Sequence, residues 1–160
     1  MLLTIATAAL AILPVFGDDS TLGVTVGPEA TFTAVSATTS LTKANTTFGN
    51  YGGTTSFTYK IRTTQSGGTG SITVLVTTFG TGGPAVADLS FTCTAPSSGT
   101  PCSTSTGANT DTAQSVVSFG QDAHSSNSGD SGTAVWSLID RPQIKTGDYS
   151  STATFTISAT

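Results

Sequence analysis

The sequence predicts an all-β protein, an antiparallel Ig-like β-sandwich of about seven to eight strands preceded by a short apolar N-terminal segment. Three observations lead there. Apolar and polar residues alternate at period two along most of the chain, which is the rhythm of a half-buried strand. Clusters of glycine, asparagine and serine interrupt that rhythm at short intervals and permit tight reversals. Threonine, β-branched and suited to the solvent face of a sheet, is the commonest residue, about a fifth of the 160 positions. A hydrophobic share of 36% in a chain this long suffices for one core and little more.

The elements follow in order. The opening, MLLTIATAALAILPVFGDDS, is apolar from Leu2 to Phe16, too short for a comfortable membrane span. Val15 and Gly17 stand at the −3 and −1 positions of a cut before Asp18, so residues 1–17 read as a secretory signal or an apolar N-terminal segment. A basic leader is missing, and a buried segment of the mature protein is the alternative reading. The assembly helix of a type IV pilin fits less well, because no glutamate stands early in the run. Contact with a membrane is expected only through this segment, if it is not removed.

Residues 18–29 form an N-terminal extension. Within it Leu22, Val24 and Val26 alternate with Gly23 and Thr25, and Pro28 marks a break before Ala30–Val35. The three apolar residues fit either a strand to be donated to another subunit or the first strand of their own domain. The sandwich is expected over 30–160. Its inward faces read as Phe57, Tyr59 and Ile61; Ile72, Val74 and Val76; Leu89, Phe91 and Cys93; Val117 and Phe119; Ala134, Trp136 and Leu138; then Ala153, Phe155, Ile157 and Ala159. Turn clusters at 49–53, 66–70, 80–84 and 146–148 separate them. Cys93 and Cys102 flank a turn-forming TAPSSGTP, and in an exported chain such a pair reads as a local disulfide.

Composition excludes some function classes. The net charge is −4, and Lys43, Lys60, Arg62, Arg141 and Lys145 do not make a patch able to neutralise several phosphates, so nucleic acid is not an expected partner. Low charge with abundant Ser, Thr and Gly is typical of secreted β proteins, and the expected location is extracellular.

One stretch invites a catalytic reading. Residues 121–132, QDAHSSNSGDSG, place the only histidine, His124, close to Gly129-Asp130-Ser131-Gly132, the core of the signature around a trypsin-like nucleophile. The residue types suit a triad, but in that family histidine and serine come from different barrels. Here both lie in one loop, and Thr133 stands where a glycine belongs. The loop is expected to be a turn feeding the strand around Trp136, and the protein is expected not to be an enzyme. Asp122, His124, Asn127 and Asp130 remain a candidate recognition loop, as does the polar stretch 97–114. Asp122, Asp130 and Asn127 lack the spacing of a calcium loop, and neither metal nor cofactor is expected. Asn45-Thr46-Thr47 is a sequon, making Asn45 a candidate glycosylation site. Trp136, Tyr149 and Tyr51 are residue types suited to a carbohydrate-stacking platform, but Trp136 alternates with Ala134 and Leu138 as a core tryptophan does, and the core reading is preferred.

The ending, from Trp136-Ser137-Leu138 through Gly147-Asp148-Tyr149 to Phe155-Thr156-Ile157 and Thr160, resembles the close of exported bacterial pilin-like sandwich subunits, spore-coat-U-like and chaperone–usher-like. The resemblance covers about a sixth of the chain, and the local cysteine pair departs from the pairing usual in such pilins. It implies a sandwich lacking one strand, whose groove is filled by β-strand addition from an identical neighbour. Head-to-tail donation gives an open, cell-surface filament. The expected function is therefore a non-catalytic structural subunit of an extracellular filament, with identical subunits as partners. The alternative is a secreted monomeric module that binds surface glycans through its Ser/Gly/Asn-rich loops.

Overall fold

The computed structural model describes residues 20–44, 46–94, 98–102 and 106–160. The apolar segment 1–17, Asn45 of the sequon and part of the stretch 97–114 lie outside the described residues.

Among the described residues the regular structure is all-β, apart from one 3₁₀ turn at Val86–Asp88. Two antiparallel sheets face one another across a single core. The first sheet runs β1 (Glu29–Val35), β3 (Tyr51–Arg62), β9 (Asp130–Leu138), β5 (Leu89–Thr94) and β7 (Thr106–Gly107), and β2 (Thr42–Lys43) also pairs with β3. The second runs β10 (Ala153–Ala159), β4 (Gly70–Val76), β8 (Gln114–Phe119) and β6 (Thr100–Pro101).

Period two accounts for which faces are buried. Phe57, Tyr59 and Ile61 of β3, Ala134, Trp136 and Leu138 of β9, and Leu89 and Phe91 of β5 are buried from one side. Ile72, Val74 and Val76 of β4, with Val117 and Phe119 of β8, meet them from the other. Aromatic contacts tie the sheets together: Phe57 lies 5.8 Å from Phe155, and Tyr59 meets Phe119 edge-on at 5.4 Å. The buried indole N–H of Trp136 donates to Thr55 Oγ1 at 2.8 Å, and Thr55 Oγ1 lies 2.7 Å from Thr39 Oγ1. Trp136 is thus a core residue with its one polar atom satisfied.

The structure departs from the sequence reading in three places. Among the described residues the seven longer strands are joined by three more, β2, β6 and β7, which are two-residue ladders inside turn-rich connections. Such ladders satisfy backbone groups and leave no alternation to read. Glycines 52 and 53, expected in a turn, lie within β3. A Cβ on Gly53 would come within 2.7 Å of the Ser40 carbonyl oxygen, so glycine there lets the 36–41 link lie close against the strand. Val116 is fully buried beside Val117, against strict alternation. The β4–β8 register slips between Ile72 and Thr73, leaving Val116 as an extra residue on β8, and that bulge turns two successive side chains inward.

Cys93 and Cys102 are disulfide-bonded, with Cα atoms 5.3 Å apart. The bridge joins the end of β5, in the first sheet, to the residue after β6, in the second.

Candidate functional site

The His124 loop shows what each chemically interesting side chain does. Asp122 holds a left-handed backbone (φ 54°), and His124 Nδ1 donates to the Asp122 carbonyl oxygen at 2.8 Å, since a carbonyl can only accept. Gly129, at φ 89°, closes the turn before β9. Ser131 already belongs to β9, and its hydroxyl lies 3.2 Å from that of Thr58. Asp130 accepts from the Ser98 hydroxyl and from the Ser126 backbone N–H. Burial pushes the Asp130 carboxyl up, but the hydrogen bonds from Ser98 and Ser126 together outweigh it and hold the group below the ordinary aspartate value. With its proton committed to Asp130, Ser98 accepts from the Tyr59 hydroxyl at 3.3 Å. Each of the three triad-like side chains is therefore engaged with a different partner. Asp122, His124 and Asp130 line one shallow polar depression with Ser98 and Gln121; Asn127 stands outside it.

Residues 20–28 form no strand. Leu22, Val24 and Val26 are 93, 87 and 60% exposed, the most exposed large apolar residues described. The root of the segment is anchored. Arg62, at the end of β3, donates through Nε to the Gly27 carbonyl at 2.9 Å and through Nη2 to Glu29 at 3.1 Å. This pair is exposed and stabilises the fold little, but it sets where the extension leaves the sheet.

The four sheet edges differ. β7 is two residues long, β6 carries Pro101, and β1 is bulged between Phe32 and Ala34 and begins on the charged Glu29. Short length, proline, bulges and charge are the devices that prevent an edge from pairing with another chain. β10 has none of them. Its seven residues, ATFTISA, are uncharged, pair with β4 in unbroken register from Ala153–Val76 to Ala159–Gly70, and present their other edge to no strand among the described residues. Phe155, Ile157 and Ala159 point towards the core but are only half-buried, and Ala153 is exposed. β1 of the facing sheet packs beside β10 without pairing to it, and the sandwich is only partly covered along this edge.

No sequence pattern distinguishes β10 from the other strands, since its alternation matches theirs. The Arg62 anchor was equally invisible, because Gly27 and Arg62 are 35 residues apart. Among the described residues no three His, Cys, Asp or Glu side chains are grouped to hold a metal, and no helix is long and apolar enough to cross a membrane. The chain matches no family model, no curated protein and no solved structure.

Proposed function

We propose that this protein is a non-catalytic structural subunit of an extracellular filament, with an Ig-like sandwich whose β10 edge accepts the N-terminal extension of the next copy as an added strand. One observation carries the reading: an unguarded seven-residue edge and an unpaired, alternating apolar segment occur in the same molecule. Each supplies what the other lacks. The edge offers free backbone N–H and C=O groups and half-buried Phe155, Ile157 and Ala159; the segment offers Leu22, Val24 and Val26 on one face of an extended backbone. Burying the three exposed side chains against that edge is worth about 1.5–3 kcal/mol each before ordering costs. The donated segment and the accepting edge are different surfaces of the protomer, so donation from copy to copy is a heterologous contact that propagates unless two copies exchange segments reciprocally.

The protein beginning at Asp18 is expected to form filaments visible by negative-stain microscopy. Deleting residues 18–27 should leave a folded protein that does not assemble, and Val24→Asp should slow assembly strongly by placing a charge in the groove. A free peptide of residues 20–28 should cap β10 and arrest growth. Polymerisation that survives the deletion, or a full-length chain that remains monomeric at high concentration, overturns the proposal.

A further inference from the structure

A cleft of about 980 Å3 opens between the 36–41 link and the long connection from β9 to β10. It lies at the end of the molecule away from the root of the extension: Tyr51, which begins β3, lines it, and Arg62, which holds Gly27, ends that strand about 35 Å away by strand rise. The cleft adjoins the start of the edge that the filament reading uses, since Ala153 and Phe155 of β10 are among its lining residues, but most of its walls come from the 36–41 link and the β9–β10 connection.

Its lining has a consistent chemistry. Trp136, 5% exposed, forms part of the floor, and half-buried Tyr51 and Tyr149 stand in the walls. Phe48, at the rim, is 54% exposed and sits at φ 54°, a backbone region that a bulky residue rarely occupies and that tends to be retained at functional sites. The Lys43 ammonium lies 5.4 Å from the Phe48 ring and 5.6 Å from that of Tyr51, fixing both against one cation. The charges cancel. Lys43 pairs with Asp140 at 2.6 Å, Arg141 makes a two-pronged pair with Asp88, and Lys145 and Asp148 in the walls have opposite signs. Serine and threonine hydroxyls from 36–40 and 150–152 complete the walls.

A cleft of this size, with aromatic faces, many hydroxyls and no uncompensated charge, suits a ligand that is neutral, polar at its edges and apolar on its faces. A charged ligand would have to compete with the Lys43–Asp140 and Arg141–Asp88 pairs. We propose that the cleft binds a neutral carbohydrate chain, with sugar faces laid on Phe48, Tyr51 and Tyr149. This inference does not depend on strand donation, and it places recognition at the opposite end of the sheet from the His124 loop.

The test titrates the chain beginning at Asp18 with cellohexaose, maltohexaose and chitohexaose, and with anionic hexagalacturonate as the charged comparison. Calorimetry and the emission of Trp136, the only tryptophan, report binding. Saturable binding of at least one neutral hexasaccharide with a change in Trp136 emission is expected. Phe48→Gly should weaken it at least about tenfold without lowering the melting temperature, because glycine accepts the left-handed backbone. Tyr51→Ala provides a second variant with the same expected loss. The inference is overturned if no neutral hexasaccharide binds, if only the anionic one does, or if neither variant weakens binding. Displacement of the sugar by a peptide of residues 20–28 also overturns it, because the cleft would then be the seat of the donated strand.

Discussion

Gly132 shows how one residue in the GDSG stretch serves the fold. A Cβ there would lie 2.5 Å from the Phe57 ring and 2.8 Å from the Thr94 carbonyl oxygen, with no flexible side-chain end to give way. Gly132→Ala should therefore cost about 1–3 kcal/mol, the usual range for overpacking a core, and a thermal melt would show it. Ser131→Ala should cost far less, because its hydroxyl bonds an exposed neighbour. Asp88 gives a second residue-scale prediction. Arg141's two hydrogen bonds hold its carboxyl below the ordinary aspartate value against the opposing effect of burial, and Asp130 is also lowered. Both groups bind protons more weakly folded than unfolded. Their stabilisation is fully present above the ordinary value of 3.8 and is lost as pH falls through their depressed values. The melting temperature should fall in that acid range, and Asp88→Asn should make the fall shallower. The sequence placed a turn at GDSG, but it ends at Gly129, and Asp130, Ser131 and Gly132 already belong to β9; that His124 and Ser131 lie in one local stretch was legible. The Asp88–Arg141 pair was not, because its partners are 53 residues apart.

At the scale of elements, alternation identified six of the seven longer strands and most of their buried faces, since a strand's period is a local property of the chain. Leu22, Val24 and Val26 alternate equally well yet form no strand, and Ala153, read as inward, is exposed. Alternation also failed at Val116, where the bulge depends on how β8 meets β4. The disulfide was legible because Cys93 and Cys102 are close in sequence. Closing a ring with a separation of nine residues should contribute about 2–3 kcal/mol by loop-closure entropy. Replacing both cysteines by serine should lower unfolding stability by that amount in a denaturant titration, with the two sheets retained. Because the bridge links β5 to the segment after β6, the loss should fall most on hydrogen-exchange protection near those two strands.

For the whole molecule, the decisive feature is the contrast between three blunted edges and one open one. An unblunted β10 in a monomer is a standing invitation to pair. Placing a guard there gives a test independent of the extension. Thr156→Lys, on the exposed face of β10, should leave the core intact, and Ile157→Lys, which puts charge among the half-buried residues, should abolish assembly at a modest cost in stability. Sedimentation velocity of both variants beside the unaltered chain separates the two outcomes. If Ile157→Lys assembles as the unaltered chain does, the copies join elsewhere.

The sequence by itself determined most of the longer strand segments and their inward side chains, the core position of Trp136 and the cysteine pair, all of which depend on residues near one another in the chain. The order of strands was decided only in three dimensions. β3 takes one neighbour from residues 29–35 and the other from 130–138, and no periodicity records that choice. From that order follow the free edge of β10, the Arg62 anchor of the extension and the cleft beneath Phe48. Local alternation specifies that a strand has a buried face; only the packed sheets specify which backbone edge is left without a partner.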